Sequence, residues 1–75
     1  MTAADKARID RLSADMKEQY GATMRREHIQ SALHFKSKLS VNNWLSDHGL
    51  IGRQVGRGLY ATHDVATAMV LGSAL

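Results

Sequence analysis

FKSKLSVNNWLSDHGL, residues 35–50, is the stretch from which the fold of this chain can be predicted. Ser37 has the side chain of a helix N-cap, and Gly49 supplies the left-handed residue that ends many helices. Between them, apolar residues recur at the i, i+3, i+4 spacing of one helical face. These residues are Val41, Trp44 and Leu45. The stretch therefore predicts a short helix with one buried side.

The opposite face of this helix is polar and has no carboxylate before Asp47. Its residues are Lys38, Ser40, Asn42, Asn43 and Ser46, with Lys36 just ahead of the helix. Amide, hydroxyl and ammonium groups without negative charge suit the base edges and phosphates of a nucleic acid better than a carboxylate-rich surface does. An ordinary solvated surface is the alternative, although asparagine is a poor helix former and two adjacent asparagines are unusual there.

The length of 75 residues and the composition restrict the class of protein. Such a chain can form one small hydrophobic core and has little room for an active-site cleft. Cysteine is absent, so neither a disulfide framework nor a thiolate metal site can form. The longest apolar runs are too short for a bilayer, and Asp5 and Asp10 are wrong for a signal peptide. We therefore expect a cytoplasmic protein without a membrane contact.

The net positive charge lies in the second part of the chain. Residues 1–23 hold four basic and four acidic side chains, whose charges cancel. Residues 24–75 hold six basic and three acidic side chains and carry the whole net charge of +3. A basic patch confined to one module is typical of nucleic-acid-binding proteins, although a surface with a small lysine and arginine excess has the same net charge.

A helix is predicted over residues 3–20, with Thr2 as its cap and Gly21 as its terminator. Its apolar stripe consists of Ile9, Leu12, Met16 and Tyr20. An isolated amphipathic helix of this length is marginal in water and must pack on something. It either packs on its own domain or pairs with a second copy of the chain.

A second helix is predicted from residue 24 to about residue 33, with Thr23 as its cap. The interval HFKS, residues 34–37, separates it from the helix that Ser37 caps. A turn of about three or four residues between two short helices is the connection found in helix-turn-helix motifs.

After the helix capped by Ser37, the pattern changes to the period of two that is typical of strands. Residues 51–55 are predicted to form one strand, Gly56–Gly58 a turn, and residues 59–61 the returning strand of a β-hairpin. Thr62 is predicted to cap a final helix. The chain is predicted to fray from Gly72 onward.

The order helix, tight turn, helix, β-hairpin and helix is that of a winged helix-turn-helix. The predicted fold class is therefore mainly α, with a small β-hairpin wing and an extra N-terminal helix. Two parts are predicted: residues 1–23 form an N-terminal helix for packing or oligomerisation, and residues 24–75 form a DNA-binding module.

Several short motifs follow one another through the second part. They are RE at residues 26–27, SKLSVNNWL at 37–45, GL at 49–50, GRGLY at 56–60 and THDV at 62–65. In order and spacing they resemble the compact MerR-like and phage excisionase-like DNA-binding domains over about residues 24–71. The chain departs from that family at Lys36 and Ser37, which replace a Gly-Val-Ser lead-in, and in its extra N-terminal helix. The resemblance implies a winged helix-turn-helix that binds double-stranded DNA.

Nine side chains are candidate DNA contacts. They are Arg25, Arg26, Lys36, Lys38, Ser40, Asn42, Asn43, Arg53 and Arg57. Asparagine can pair with N6 and N7 of adenine, and basic residues can reach phosphates or the minor groove. Arginines in the first turn of a helix oppose its dipole, so a phosphate partner would explain Arg25 and Arg26. Lys36 and Ser40 could equally complete a cap, and the tip at Arg57 could be a flexible turn.

No catalytic, metal-binding or cofactor-binding residues are predicted. The four histidines are dispersed, and no nucleophile elbow or phosphate-binding loop occurs. With the resemblance, we expect a cofactor-free, nucleoid-associated regulator of transcription or excisionase-type architectural factor, phage- or mobile-element-like. Because one module buries a limited area, a homodimer, a cooperative array or a recombinase partner is expected. The alternative is a winged helix that binds another protein, such as a phage inhibitor or assembly factor.

Overall fold

The computed structural model describes residues 1–72, and the last three residues of the predicted DNA-binding module, including most of the segment expected to fray, lie outside that range. Within residues 1–72 the chain forms four helices and a three-stranded antiparallel sheet. In chain order the elements are α1 (Ala3–Tyr20), β1 (Thr23–Arg25), α2 (Arg26–Leu33), α3 (Lys38–Asp47), β2 (Gln54–Gly56), β3 (Leu59–Ala61) and α4 (Thr62–Leu71). This mainly helical fold is compatible with a helix-turn-helix followed by a wing.

Helix α1 has the predicted bounds. The Thr2 hydroxyl accepts a hydrogen bond from the Asp5 amide at 3.1 Å, and the Asp5 carboxylate accepts one from the Thr2 amide at 3.3 Å. Gly21 ends the helix with a positive φ of 98°. Ile9 and Met16 are buried, and α1 packs against α4. The helix therefore packs on its own chain, whereas a role in pairing with a second copy stays a prediction.

The predicted start of the second helix is wrong. Thr23 does not cap a helix, because residues Thr23–Arg25 form β1 and pair antiparallel with β3. Met24 lies opposite Tyr60 in this ladder and is fully buried, whereas Arg25 is exposed. The extended conformation is favoured here because it places Met24 in the core and completes the sheet. Helix α2 consequently begins at Arg26.

The turn between α2 and α3 comprises residues 34–37, as predicted. Its first residue, His34, has the left-handed conformation with φ 58° and ends α2. At its other end, the Ser37 hydroxyl accepts a hydrogen bond from the Ser40 amide at 3.2 Å, so Ser37 is the N-cap of α3. The cap confirms the predicted start of the helix. Gly49, with φ 73°, lies just beyond its end.

Replacing Ser37 with alanine is expected to lower the free energy of unfolding by about 1 kcal/mol, because the Ser40 amide loses its acceptor. Urea unfolding followed by circular dichroism measures the change. Ser46→Ala is the matched control, since Ser46 is exposed on the same helix and alanine is the better helix former. Equal urea midpoints for Ser37→Ala and the parent would show that this cap does not stabilise α3.

The apolar face of α3 points into the protein as predicted. Val41 and Leu45 are fully buried, and Trp44 is half-buried against them. The Trp44 ring also stacks on the His48 ring, with 4.6 Å between the ring centroids. Trp44 therefore serves the packing of α3, and its neighbours on the polar face are left to solvent.

The first strand of the hairpin is shorter than predicted. Residues Ile51–Arg53 form one turn of 3-10 helix, and β2 comprises Gln54–Gly56. Ile51 and Val55 are exposed, so their alternation is not a burial pattern. The apolar residue that enters the core here is Leu50. Anchoring Leu50 in the core makes the chain turn before it can extend beside β3.

Thr62 is not the cap of α4 but its first residue, and Ala61 occupies the N-cap position. Thr62 is fully buried, and its hydroxyl donates a hydrogen bond to the Gly21 carbonyl at 2.7 Å. Its amide donates to the Ala22 carbonyl at 3.0 Å. The side chain is used in this contact between the start of α4 and the end of α1, and so it is not free to cap.

One hydrophobic core includes residues from both predicted parts of the chain described here. Its buried members are Ile9, Met16, Met24, Ile29, Val41, Leu45, Leu50, Tyr60, Val65, Ala66 and Ala68. The rings of Tyr20 and His28 also stack, with 5.4 Å between their centroids, and so join α1 to α2. The predicted division at residue 23 stays a prediction. None of the helices within residues 1–72 combines the length and the apolar character that crossing a membrane requires.

Candidate nucleic-acid interface

A groove of about 350 Å³ lies between α2, α3 and the tip of the hairpin. Its lining consists of Arg25, Arg26, Glu27, Gln30, Lys38, Val41, Asn42, Arg57 and Gly58. Four of these side chains are cationic and one is a carboxylate. We call this surface the basic groove. Five of the nine predicted DNA contacts line it, although they come from three separate segments of the chain.

The helix ends add to the positive potential of the basic groove. Arg26 is the first residue of α2, and Lys38 is the first residue of α3. The sequence predicted Arg25 in the first turn of α2, but Arg25 is the N-cap of that helix. The first turn of a helix carries partial positive charge, so these cations oppose the dipoles of their own helices. Such an arrangement is unfavourable without an anion and becomes favourable when a phosphate binds.

The packing of α3 determines which of its polar residues border the basic groove. Val41 and Leu45 fix the rotation of the helix about its axis, because both are buried. Lys38 and Asn42, four residues apart, then share the edge that faces the hairpin tip. Asn43 lies one position further round and is exposed on the outer face of α3. The helix thus presents one asparagine to the groove and the other to the solvent beside it.

The hairpin tip is held in place by a side chain that sequence reasoning missed. The Gln54 side-chain oxygen accepts a hydrogen bond from the Gly58 amide at 2.9 Å, and its nitrogen donates to the Ile51 carbonyl at 3.0 Å. Gly58 has a positive φ of 71°, which glycine adopts without strain. Arg57 therefore projects from a braced turn. A glutamine four residues before a glycine is too common a pattern to have indicated this role.

Three predicted contacts on or near α3 lie outside the lining of the basic groove. Lys36 is exposed in the turn before α3, and Asn43 is exposed on the outer face of the helix. Ser40 lies at the cap, where its hydroxyl is 3.0 Å from the hydroxyl of Ser37. Ser40 therefore takes part in the cap of α3, which is the alternative role that the sequence analysis gave for it. Contacts from these residues to DNA stay predictions.

Arg53 also lies outside the basic groove. Its guanidinium is 3.5 Å from the carboxylate of Asp64 in the first turn of α4. The Arg53 side chain is 43% exposed, so the ion pair contributes little to stability. It does, however, orient Arg53 toward α4. A contact from Arg53 to DNA stays a prediction and would require this ion pair to be shared or broken.

Two polar residues of the groove lining were not predicted from the sequence. They are Glu27 and Gln30, on the face of α2 that Arg26 also occupies. Gln30 is four residues after Arg26 and three after Glu27, and this helical spacing would have identified the shared face. The carboxylate of Glu27 offsets part of the positive charge, and the amide of Gln30 offers both a donor and an acceptor.

Comparisons of this chain with models of known protein families, with curated proteins and with solved structures gave no match.

Proposed function

We propose that this chain is a small winged helix-turn-helix protein that binds double-stranded DNA in a sequence-specific manner. It acts as a phage- or mobile-element-like transcriptional regulator or as an excisionase-type architectural factor. The observation that carries the proposal is the basic groove, where four cations from β1, α2, α3 and the hairpin tip converge beside Asn42. Such convergence suits a phosphate backbone next to an exposed base edge.

In the proposed complex, α3 lies in the major groove. Its ten residues form a helix of the size that the major groove of B-DNA admits. Asn42 and Asn43 face base edges, while Lys38 contacts a phosphate from the start of the helix. The braced tip with Arg57 reaches the flanking minor groove or its backbone.

A single copy covers a limited length of DNA. Residues 1–72 extend 33 Å along their longest axis, which is close to one helical turn of B-DNA of roughly 34–36 Å. One copy can therefore contact one half-site. A homodimer, a cooperative array or a protein partner such as a recombinase would supply the remaining contacts that useful affinity requires.

The proposal is tested by measuring binding to a mixed pool of short duplexes as the salt concentration is raised. If the four groove cations each neutralise one phosphate, the slope of log affinity against log salt is expected to be about −3.6. Asn42→Ala and Asn43→Ala are expected to leave the slope unchanged and to lower discrimination between a selected site and the pool. One lost bidentate pair corresponds to about 1–3 kcal/mol of that discrimination.

If circular dichroism shows that the parent chain is folded and the chain still binds no duplex at low salt, the proposed function is wrong. Asparagine variants that lose affinity for all duplexes equally would limit the proposal to non-specific DNA binding.

A protein-interaction module is the second candidate function. It is favoured by two exposed apolar side chains: Ile51, which lies shortly before the edge strand β2, and Val55, which lies within it. Exposed apolar residues next to a free strand edge are typical of a surface that another chain can cover. Joint replacement of the cations at positions 36, 38, 53 and 57 discriminates between the two functions. If the variant without these four cations keeps the biological activity of the parent chain, that activity does not depend on DNA binding, and a protein partner is favoured.

A further inference from the structure

Leu39 is an apolar side chain on the polar face of α3. It is 68% exposed, although leucine is among the residues most often buried. The other large apolar side chains exposed in residues 1–72 are Met1, Ile51 and Val55, which lie at the chain start and around the hairpin. In the described part of the chain, Leu39 is thus the one such residue within an α-helix, and that helix is the proposed recognition helix.

The neighbours of Leu39 on the helix surface are the two asparagines. Asn42 and Asn43 follow it by three and four residues, which places all three side chains on one patch. Asn42 borders the basic groove, so Leu39 and Asn43 extend that surface outward. A protein that docks α3 in a major groove must therefore press Leu39 against base edges together with these amides.

We infer that Leu39 contacts the 5-methyl group of thymine, and that the outer face of α3 selects A·T pairs. This inference rests on the proposed function. The thymine methyl is the apolar group that the four standard bases display in the major groove, and asparagine pairs with N6 and N7 of adenine. A leucine flanked by asparagines therefore matches both halves of the A·T major-groove edge.

The spacing along α3 fits base pairs one or two steps apart. From Leu39 to Asn43 the helix rises about 6 Å, at 1.5 Å per residue. This rise is close to two base-pair steps of about 3.4 Å each. One side chain can then contact a thymine methyl while the other pairs with an adenine one or two steps away. The half-site expected for α3 is a short run of A·T pairs.

The test compares two duplexes that differ in the methyl group. Alternating dA·dT and dA·dU duplexes have the same charge and the same base pairing, but deoxyuridine lacks the 5-methyl group. The parent chain is expected to prefer the dA·dT duplex about fourfold for each methyl that it contacts, the effect of burying one such group. In Leu39→Ala this preference is expected to fall to near one.

Val55→Ala is the matched control, because it truncates another exposed apolar side chain at a site away from α3. It is expected to keep the parent's preference for dA·dT. Comparing the preference of Leu39→Ala with that of the parent also cancels any difference in shape between the two duplexes. Both variants are expected to fold, because the replaced side chains are exposed, and circular dichroism verifies this.

The possible failures are distinguishable. If the parent binds both duplexes equally, or if Leu39→Ala retains the preference, the contact with thymine is overturned while DNA binding stands. If the folded parent binds neither these duplexes nor the mixed pool, the proposed function fails and this inference fails with it.

Discussion

Replacing Lys38 and Arg57 together with glutamine is expected to lower the affinity for duplex DNA on the order of 60-fold at about 0.1 M salt. Each cation that neutralises a phosphate contributes roughly eightfold at this concentration, through the release of a counterion. The two side chains line the basic groove from α3 and from the hairpin tip, so they can contact different phosphates. The slope of log affinity against log salt is expected to become shallower by about 1.8, as measured by fluorescence anisotropy.

The matched control replaces Lys6 and Arg11 with glutamine. These residues are exposed on α1 and outside the basic groove, and their replacement removes the same two charges. Charges farther from the DNA than about 10 Å are largely screened at this salt concentration, so the control should bind nearly as the parent does. Equal losses in the two double variants would mean that net charge, and not the basic groove, determines the affinity.

The Lys38 and Arg57 replacements are not expected to disturb the fold. Lys38 is the first residue of α3, where a cation opposes the helix dipole, so glutamine is at least as favourable there. Arg57 is exposed at the hairpin tip, and the turn is braced by the side chain of Gln54. A loss of binding by this variant can therefore be assigned to the interface.

The helices were predictable where their signals are local. Thr2 and Ser37 cap α1 and α3 through hydrogen bonds to residues three positions away. Gly21 and Gly49 follow the ends of the same helices with positive φ. Caps and terminators of this kind are decided within one turn of helix, so the sequence alone contains the necessary information.

The errors arose where contacts between distant residues decide the local structure. Met24 belongs to a strand because Tyr60 lies opposite it in β3, and no signal near Met24 indicates that pairing. Thr62 has a side chain suited to an N-cap, but it bonds instead to the carbonyl of Gly21, 41 residues away. In both cases the tertiary contact overrides the local propensity.

The candidate site was predictable only in part for the same reason. Helical spacing places Lys38 and Asn42 on one edge of α3. The position of that edge could be predicted, because the apolar stripe already identified Val41 as a buried residue, and Val41 is buried in the structure. Charge alone could not distinguish Arg53 from Arg57. The turn of 3-10 helix directs Arg53 toward Asp64, whereas the hairpin carries Arg57 to the basic groove. That separation depends on a backbone path that composition does not specify.

Leu45→Ala is expected to lower the free energy of unfolding by about 2–5 kcal/mol, because it leaves a cavity in the core beside Val41. A domain of this size without disulfides rarely exceeds roughly 3–5 kcal/mol of total stability. The variant is therefore expected to be largely unfolded at 25 °C. The measurement is urea unfolding followed by the fluorescence of Trp44, the single tryptophan, which packs on the same face of α3.

Leu39→Ala is the matched control, since it removes the same atoms from the same helix. Leu39 is 68% exposed and Leu45 is fully buried, so the control is expected to stay within about 0.5 kcal/mol of the parent. Comparable destabilisation by the two substitutions would show that the inner face of α3 is misassigned. The outward direction of Asn42, Asn43 and Leu39 depends on that assignment. Binding of α3 in the major groove of DNA would then be untenable.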